Sequence, residues 1–304
     1  MKKVLKILSF TLVLTGLLLS TAGIGHAKGD VTIGFLVWNG PFDGQRQWAS
    51  TGQYLTKKLH QPVKVRSLSY KELLPAVAAG KVDFFTADPS MFIAAKAAYG
   101  VEPVATMKNS VIGTEYNGAV IFTKAANTSI NGLTNLGGKK IGALRRWSFA
   151  GWQMAEKEFK DAGIDVYSFV HTIRFFETPE AVVKAVEMGK VDAGTLPTGL
   201  LEREVASGNG KIEDFKILAK KFHRDFPFAC STVLYPGFLL AKRAGVDQHL
   251  AEQIAEALKE LQEGDRPLQD ASLAGWTDPL DYSIVQKVLG QLKGMRPTGL
   301  RVSL

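Results

Sequence analysis

The chain has 304 residues, 37 Lys and Arg against 29 Asp and Glu, and a formal charge of +8. That length exceeds one ordinary core and suits two lobes. The cationic excess is modest and interleaved with acids, which excludes a nucleic-acid surface built on a basic stripe, and a single cysteine, Cys230, excludes an internal disulfide framework and any multi-cysteine metal site.

MKKVLKI opens the chain with lysines, and LSFTLVLTGLLLSTAGI is a short apolar run ending in small residues. This is the pattern of an export signal over residues 1–27, cut near Gly25 and Ala27, with no cysteine after the cut to carry a lipid. Loss of Lys2, Lys3 and Lys6 lowers the charge from +8 to +5. The mature chain is expected in the periplasm.

From Val31 onward, short apolar strands alternate with helix patterns, the rhythm of α/β lobes with largely parallel sheets. Ser69 and Glu72 form a capping box ahead of Leu73 and Val77, while Asp88 and Thr178, each followed by proline, read as caps of their own helices. GKVD occurs at 80–83 and again at 189–192. Each copy follows a helix pattern, and each leads into a buried strand (82–86 and 191–196) that ends in Pro89-Ser90 or Pro197-Thr198. Matched helix, strand and proline-hydroxyl signals argue for two similar lobes. Near the end, Leu250, Ile254, Leu258 and Leu261 make one helical stripe and Ile284, Val288 and Leu292 another.

Between the two copies, KKIGALR (139–145) reads as a strand and the segment carrying Trp152, Ala155 and Phe159 as a helix that stops at Gly163. Ser148 falls at the N-cap. The first amides of such a helix lack internal partners and carry the positive end of its dipole, so the strand's carboxyl end opens onto a seat for an anion. Trp147, Phe149 and Ala150 would wall that seat, and Arg145 or Arg146 would close it with a charged fork; solvated arginines over core rings are the competing reading of the same spacing. A micromolar ligand needs about 8 kcal/mol, and a helix terminus supplies at most about 2. A facing lobe must therefore complete the shell on closure. Trp38 and Asn39 after the first strand, Ser90 and Thr198 after the GKVD strands, Thr178, and Tyr116, Cys230 and Ser231 near the lobe crossings are the further candidates.

HRDFPFAC (223–230) carries the HRD string of protein kinases, but the glycine-rich phosphate loop and the downstream asparagine are absent. No base, nucleophile and orienting group fall together, so no enzyme is expected. His60, His171, His223 and His249 lack ligand spacing, and no metal or cofactor is expected.

Several segments together carry a resemblance. SFAGWQM (148–154), GTLPTGLLE (194–202), STVLYPG (231–237) and AGWTDPLDY (274–282) are similar to the periplasmic sensor region of tetrathionate-sensor histidine kinases. The order of segments from about Val31 to Leu292 resembles type II periplasmic binding proteins, in particular the phosphonate-binding component of ABC importers. The resemblance implies a two-lobed α/β fold with the ligand cleft between lobes joined by two crossing strands. One lobe would comprise 28–117 plus 232–304 and the other 118–231, with crossings near 116–122 and 229–235. It also implies a monomer that holds a small anionic ligand and presents it to a membrane ABC permease or to a sensor histidine kinase. Phosphonate binders place a Ser-Thr-Ser-Gly turn at this helix start. Here Ser148, Phe149, Ala150 and Gly151 occupy it, and the family's histidine corresponds to about Thr178. With one hydroxyl left, the resemblance favours a softer anion, such as a sulfur oxyanion or an organosulfonate, and tetrathionate-like compounds stand first. Cys230 beside a crossing would then be placed to exchange with an S–S bond.

Overall fold

VTIGFL, the first strand, shows almost no alternation: five of its six residues are buried, as a central strand covered on both faces requires. In this computed structural model of the chain, which describes residues 29–37, 41–208 and 210–292, the strand lies inside a six-stranded sheet. The export signal expected at 1–27 and the candidates Trp38 and Asn39 lie outside the described residues.

The first half of the chain supplies β1 (Val31–Leu36), α1 (Pro41–Leu59), β2 (Val63–Leu68), α2 (Tyr70–Ala78), β3 (Phe84–Ala87), α3 (Pro89–Tyr99), β4 (Glu102–Asn109), β5 (Tyr116–Asn117) and β6 (Ala119–Lys124). Then come β7 (Lys140–Leu144), α4 (Met154–Asp161), α5 (Val166–Phe169), β8 (Thr172–Phe176), α6 (Pro179–Glu187), β9 (Ala193–Pro197), α7 (Leu200–Ala206) and β10 (Phe215–Leu218). The last part adds β11 (Tyr235–Pro236), β12 (Leu239–Lys242), α8 (Gln248–Lys259), α9 (Arg266–Ala271), β13 (Leu273–Thr277) and α10 (Ser283–Leu292).

One sheet has the order β13-β4-β12-β3-β1-β2, and the other β10-β6-β9-β7-β8. Leu73, Val77, Phe92 and Val288 fill one face of the first sheet; Trp48, Leu55, Ile254 and Leu258 fill the opposite face. The second sheet is covered by Trp152 and Phe159 on one side and by Val182 and Val186 on the other. The chain passes between the sheets twice, and the two passages pair with each other: β5 runs antiparallel to β11, and Ser231 N–H donates to the Ala119 carbonyl at 2.8 Å.

The sheets are mixed where the sequence rhythm predicts largely parallel ones. β2-β1-β3 and β8-β7-β9 are parallel, but β12 runs against β3 and β4, β13 runs against β4, and β6 runs against β9 and β10. β6 and β12 are the strands that enter a sheet directly from a passage, with no helical crossover to reverse the chain, so they arrive antiparallel.

The GKVD copies occupy the same place in both sheets. Gly80 and Gly189 end their helices at φ of 64° and 65°, a conformation that glycine adopts without steric cost. Val82 and Val191 then turn inward, within 3.0 Å and 3.2 Å of where a Cβ would stand on the central-strand residues Gly34 and Gly142. Asp83 accepts the Thr32 N–H at 2.9 Å, and Asp192 accepts the Lys140 N–H at 2.8 Å, each stitching its turn to the neighbouring strand. These aspartates are engaged in the turn, so β3 and β9 start at Phe84 and Ala193, two residues later than the apolar run suggests.

Candidate functional site

β7 delivers the chain to the sheet's carboxyl edge at Leu144, and Arg145 turns it in the left-handed region, φ 46°. A non-glycine residue held there is uncommon. Its N–H is fixed by the Phe176 carbonyl at 3.1 Å, and its guanidinium Nε lies 3.0 Å from Glu177 while covering the Trp147 ring at 5.7 Å. Arg146 points the other way and covers Tyr167 at 5.8 Å.

Ser148 caps the helix as the sequence predicts, accepting the Gly151 N–H on its hydroxyl at 3.1 Å. The helix begins with one π-helical turn, Phe149–Gln153, before continuing as α4. π-turns are frequent at functional positions. Gly151 is required here because a Cβ would collide with the Leu144 carbonyl; the close neighbour is the chain's own backbone.

The other lobe reaches this helix start. Asp88, at the carboxyl end of β3, caps α3 by accepting the Ser90 N–H at 2.9 Å on Oδ1. Its second oxygen, Oδ2, accepts the Phe149 N–H at 3.2 Å, so one carboxylate caps two helices belonging to two sheets. Ser90 adds a hydrogen bond from its hydroxyl to the Trp147 carbonyl at 3.1 Å, and Tyr70 stacks on the Trp147 ring at 3.7 Å. Phe149 is fully buried, edge-on to Tyr235, and it joins Ala150 and Met154 in the apolar cluster of the first sheet. Asp88 is 1 % exposed. Burial pushes its carboxyl above the usual aspartate range, against the pull of the donors from Ser90, Phe149 and Met91.

The remaining candidates have defined places. Thr178 caps α6 by accepting the Ala181 N–H at 3.2 Å, next to the Glu177 that holds Arg145. Thr198 lies at the first passage, donating to Asn117 at 2.7 Å and accepting the Gly118 N–H at 3.2 Å. Ser231 accepts the Ile121 N–H at 2.8 Å and donates to the Leu218 carbonyl at 2.7 Å, a strand-edge role at the second passage. Cys230 beside it is fully buried and donates its thiol to the Thr232 carbonyl at 3.1 Å. Tyr116 is partly exposed on β5. Ser90, Arg145, Trp147, Ser148, Phe149 and Ala150 therefore gather at the helix start, while Thr198, Cys230 and Ser231 gather at the passages. Sequence reasoning missed Tyr70 and treated Asp88 as a local cap. The only available signal was position, because Asp88 follows the first GKVD strand where Pro197 and Thr198 follow the second.

A family model described as "ABC transporter, phosphonate, periplasmic substrate-binding protein" matches residues 33–282. The chain belongs to this family. The chain is similar in fold to PhnD1 from Prochlorococcus marinus in complex with methylphosphonate (TM-score 0.66, 12 % identity, 87 % of this chain and 98 % of that one). It is likewise similar to XAC2383 from Xanthomonas citri bound to ATP (TM-score 0.67, 15 % identity, 88 % and 96 %). The fold is thus that of the two-lobed type II periplasmic binding proteins. The tetrathionate sensor histidine kinase TtrS of Salmonella typhimurium is 27 % identical over 241 residues, 77 % of this chain. The chain spans about 40 % of the length of that relative. Among the described residues, no helix is long and apolar enough to cross a membrane.

Proposed function

We propose that this protein binds a small oxyanion outside the cytoplasm, between lobes 28–117 plus 232–304 and 118–231, and presents it to an ABC permease. The observation that carries the reading is the Asp88 carboxylate on the Phe149 N–H. The protein's own oxyanion stands where a helix start and a facing lobe meet, the arrangement a bound guest needs. Arg145 flanks the position and Trp147 with Tyr70 covers it, so water exclusion and charge arrive together on closure. Thr178, Thr198, Tyr116, Ser231 and Cys230 belong to the surrounding framework in this reading. The protein acts as a monomer and needs no cofactor.

The similarity to a tetrathionate sensor over most of the chain favours a second reading, in which a tetrathionate-like compound is presented to a separate histidine kinase. A permease and an ATPase encoded beside the gene support transport; a kinase and a response regulator support sensing.

Trp147 stacks on a ring of the other lobe, so tryptophan emission reports the cleft. Titration with tetrathionate, thiosulfate, sulfate, phosphate, phosphite and methylphosphonate is expected to give saturable change with at least one. Arg145→Ala should weaken the best ligand about tenfold, the scale of one charged hydrogen bond. Arg146→Ala should do less, since its guanidinium turns to Tyr167. Absence of binding by all six anions, read by emission and by thermal shift, sinks the proposal.

A further inference from the structure

The helix that starts at Ser148 meets the other lobe along its whole length and not only at its tip. Phe149, Ala150 and Met154 are almost wholly buried, and they share one apolar cluster with Phe92 of α3 and with Val285 and Val288 of α10. α4 packs directly on α10. Nearly two turns past Met154, Lys160 Nζ donates to the Gln291 carbonyl at 2.7 Å. Gln291 lies in the last turn of α10, where carbonyls lack helical partners and a cation meets the negative end of the dipole. Contact between the lobes thus runs from Phe149 to Lys160, roughly 16 Å of helix. At the tip, the polar groups answer one another. Asp88 accepts the Phe149 N–H at 3.2 Å, the Ser90 hydroxyl reaches the Trp147 carbonyl at 3.1 Å, and Tyr70 covers the Trp147 ring. An apolar middle is therefore closed at both ends by bonds from one lobe to the other.

We infer that these contacts hold the lobes shut by themselves, with the Asp88 carboxyl seated on the Phe149 N–H, so that the protein rests closed before any guest arrives. The inference stands apart from the choice of anion or partner. Two lobes on paired passages can wait open or closed, and the nature of their facing surfaces decides which. Surfaces that part readily must tolerate water. Here parting returns Phe149 and Met154 to water, and it takes from Asp88 an N–H that it already holds. A guest then enters by competing with the chain's own carboxyl group, and its apparent affinity falls with the fraction of molecules that are open.

The test needs no guest. The parent protein is unfolded and refolded to strip anything that co-purifies, then measured by small-angle X-ray scattering without added anion. It should give the profile of closed lobes, with about a tenth of the molecules or fewer open, the share of a minor conformer. In the same sample the Phe149 amide, read by hydrogen exchange, should exchange at least about a hundredfold more slowly than in the unfolded chain. Met154→Asp puts a charge into the apolar seam and should move most molecules to an open profile while circular dichroism shows the helices kept. Lys160→Ala, at the exposed end of the seam, should raise the open share by no more than about fivefold. An open profile in the parent protein, an unprotected Phe149 amide, or closed lobes in a folded Met154→Asp variant would each overturn the inference. Scattering and exchange on the parent protein decide it even where Met154→Asp fails to fold. None of these outcomes bears on anion binding, which the titration tests separately.

Discussion

The two GKVD turns and the two segments that follow them behave differently. In both lobes the glycine takes a left-handed turn, the valine packs on a strand glycine, and the aspartate bonds the N–H of the adjacent strand. Past the strands the copies part. Asp88 and Ser90 turn toward the other lobe and meet the start of its helix, whereas Thr198 turns toward the passage and holds Asn117 and Gly118. A repeated framework is thus kept where it folds the lobe, and it diverges at the carboxyl edge of the sheet, where α/β folds place their ligands.

That contrast can be broken first at the valines. Val82 and Val191 are almost wholly buried against Gly34 and Gly142. Each change to alanine should cost about 2 kcal/mol through lost burial and an unfilled cavity. Denaturant unfolding of the two variants should give similar losses; a large loss at one and none at the other would mean that the turns are alike in sequence only. Asp83→Ala and Asp192→Ala should each cost about 1 kcal/mol, the value of the backbone bond they accept. Asp83 also faces Arg243 at 3.5 Å, a half-exposed pair that adds little. Neither change should alter anion affinity, whereas Asp88 variants should, and that separation sharpens the difference between turn and cleft.

Only part of each GKVD turn was legible in the sequence, since Asp83 and Asp192 meet N–H groups 51 and 52 residues away. The glycine that ends each helix acts locally, within the turn it terminates. Ser148 was legible for the same reason, since a cap satisfies an amide three residues away. Asp88 was only half legible. The signal for capping α3 is the same whether its second oxygen faces water or an N–H 61 residues onward, and no local pattern reports the latter. Tyr70 was missed on the same grounds, because its partner ring belongs to the other lobe. Ser231 and Thr198 stood out as hydroxyls near a passage, but which carbonyl or amide each one meets depends on how the passages pair, as it does for Ser231 with Leu218 and Ile121. The mixed sheets have a similar origin, since strand direction at β6 and β12 follows from the route of the chain and not from its apolar pattern.

The smallest expected effect concerns Cys230, which the sequence places beside a passage as a potential partner for an S–S compound. Exchange requires the thiolate and a line of approach. Here the thiol is fully buried, faces the carbonyls of Thr232 and Ala119, and is pushed above the usual thiol range chiefly by that burial. For an acid, a raised value means that the neutral form persists to higher pH, so near neutrality almost no thiolate is present. A thiol reagent should therefore modify the native protein roughly a hundredfold more slowly than the unfolded chain. Tetrathionate should leave its mass unchanged, and Cys230→Ala should shift anion affinity by less than about twofold. A thiosulfate adduct on Cys230 in the folded protein would show instead that the passages open far enough to expose the sulfur, which would make them a moving part and not a fixed joint.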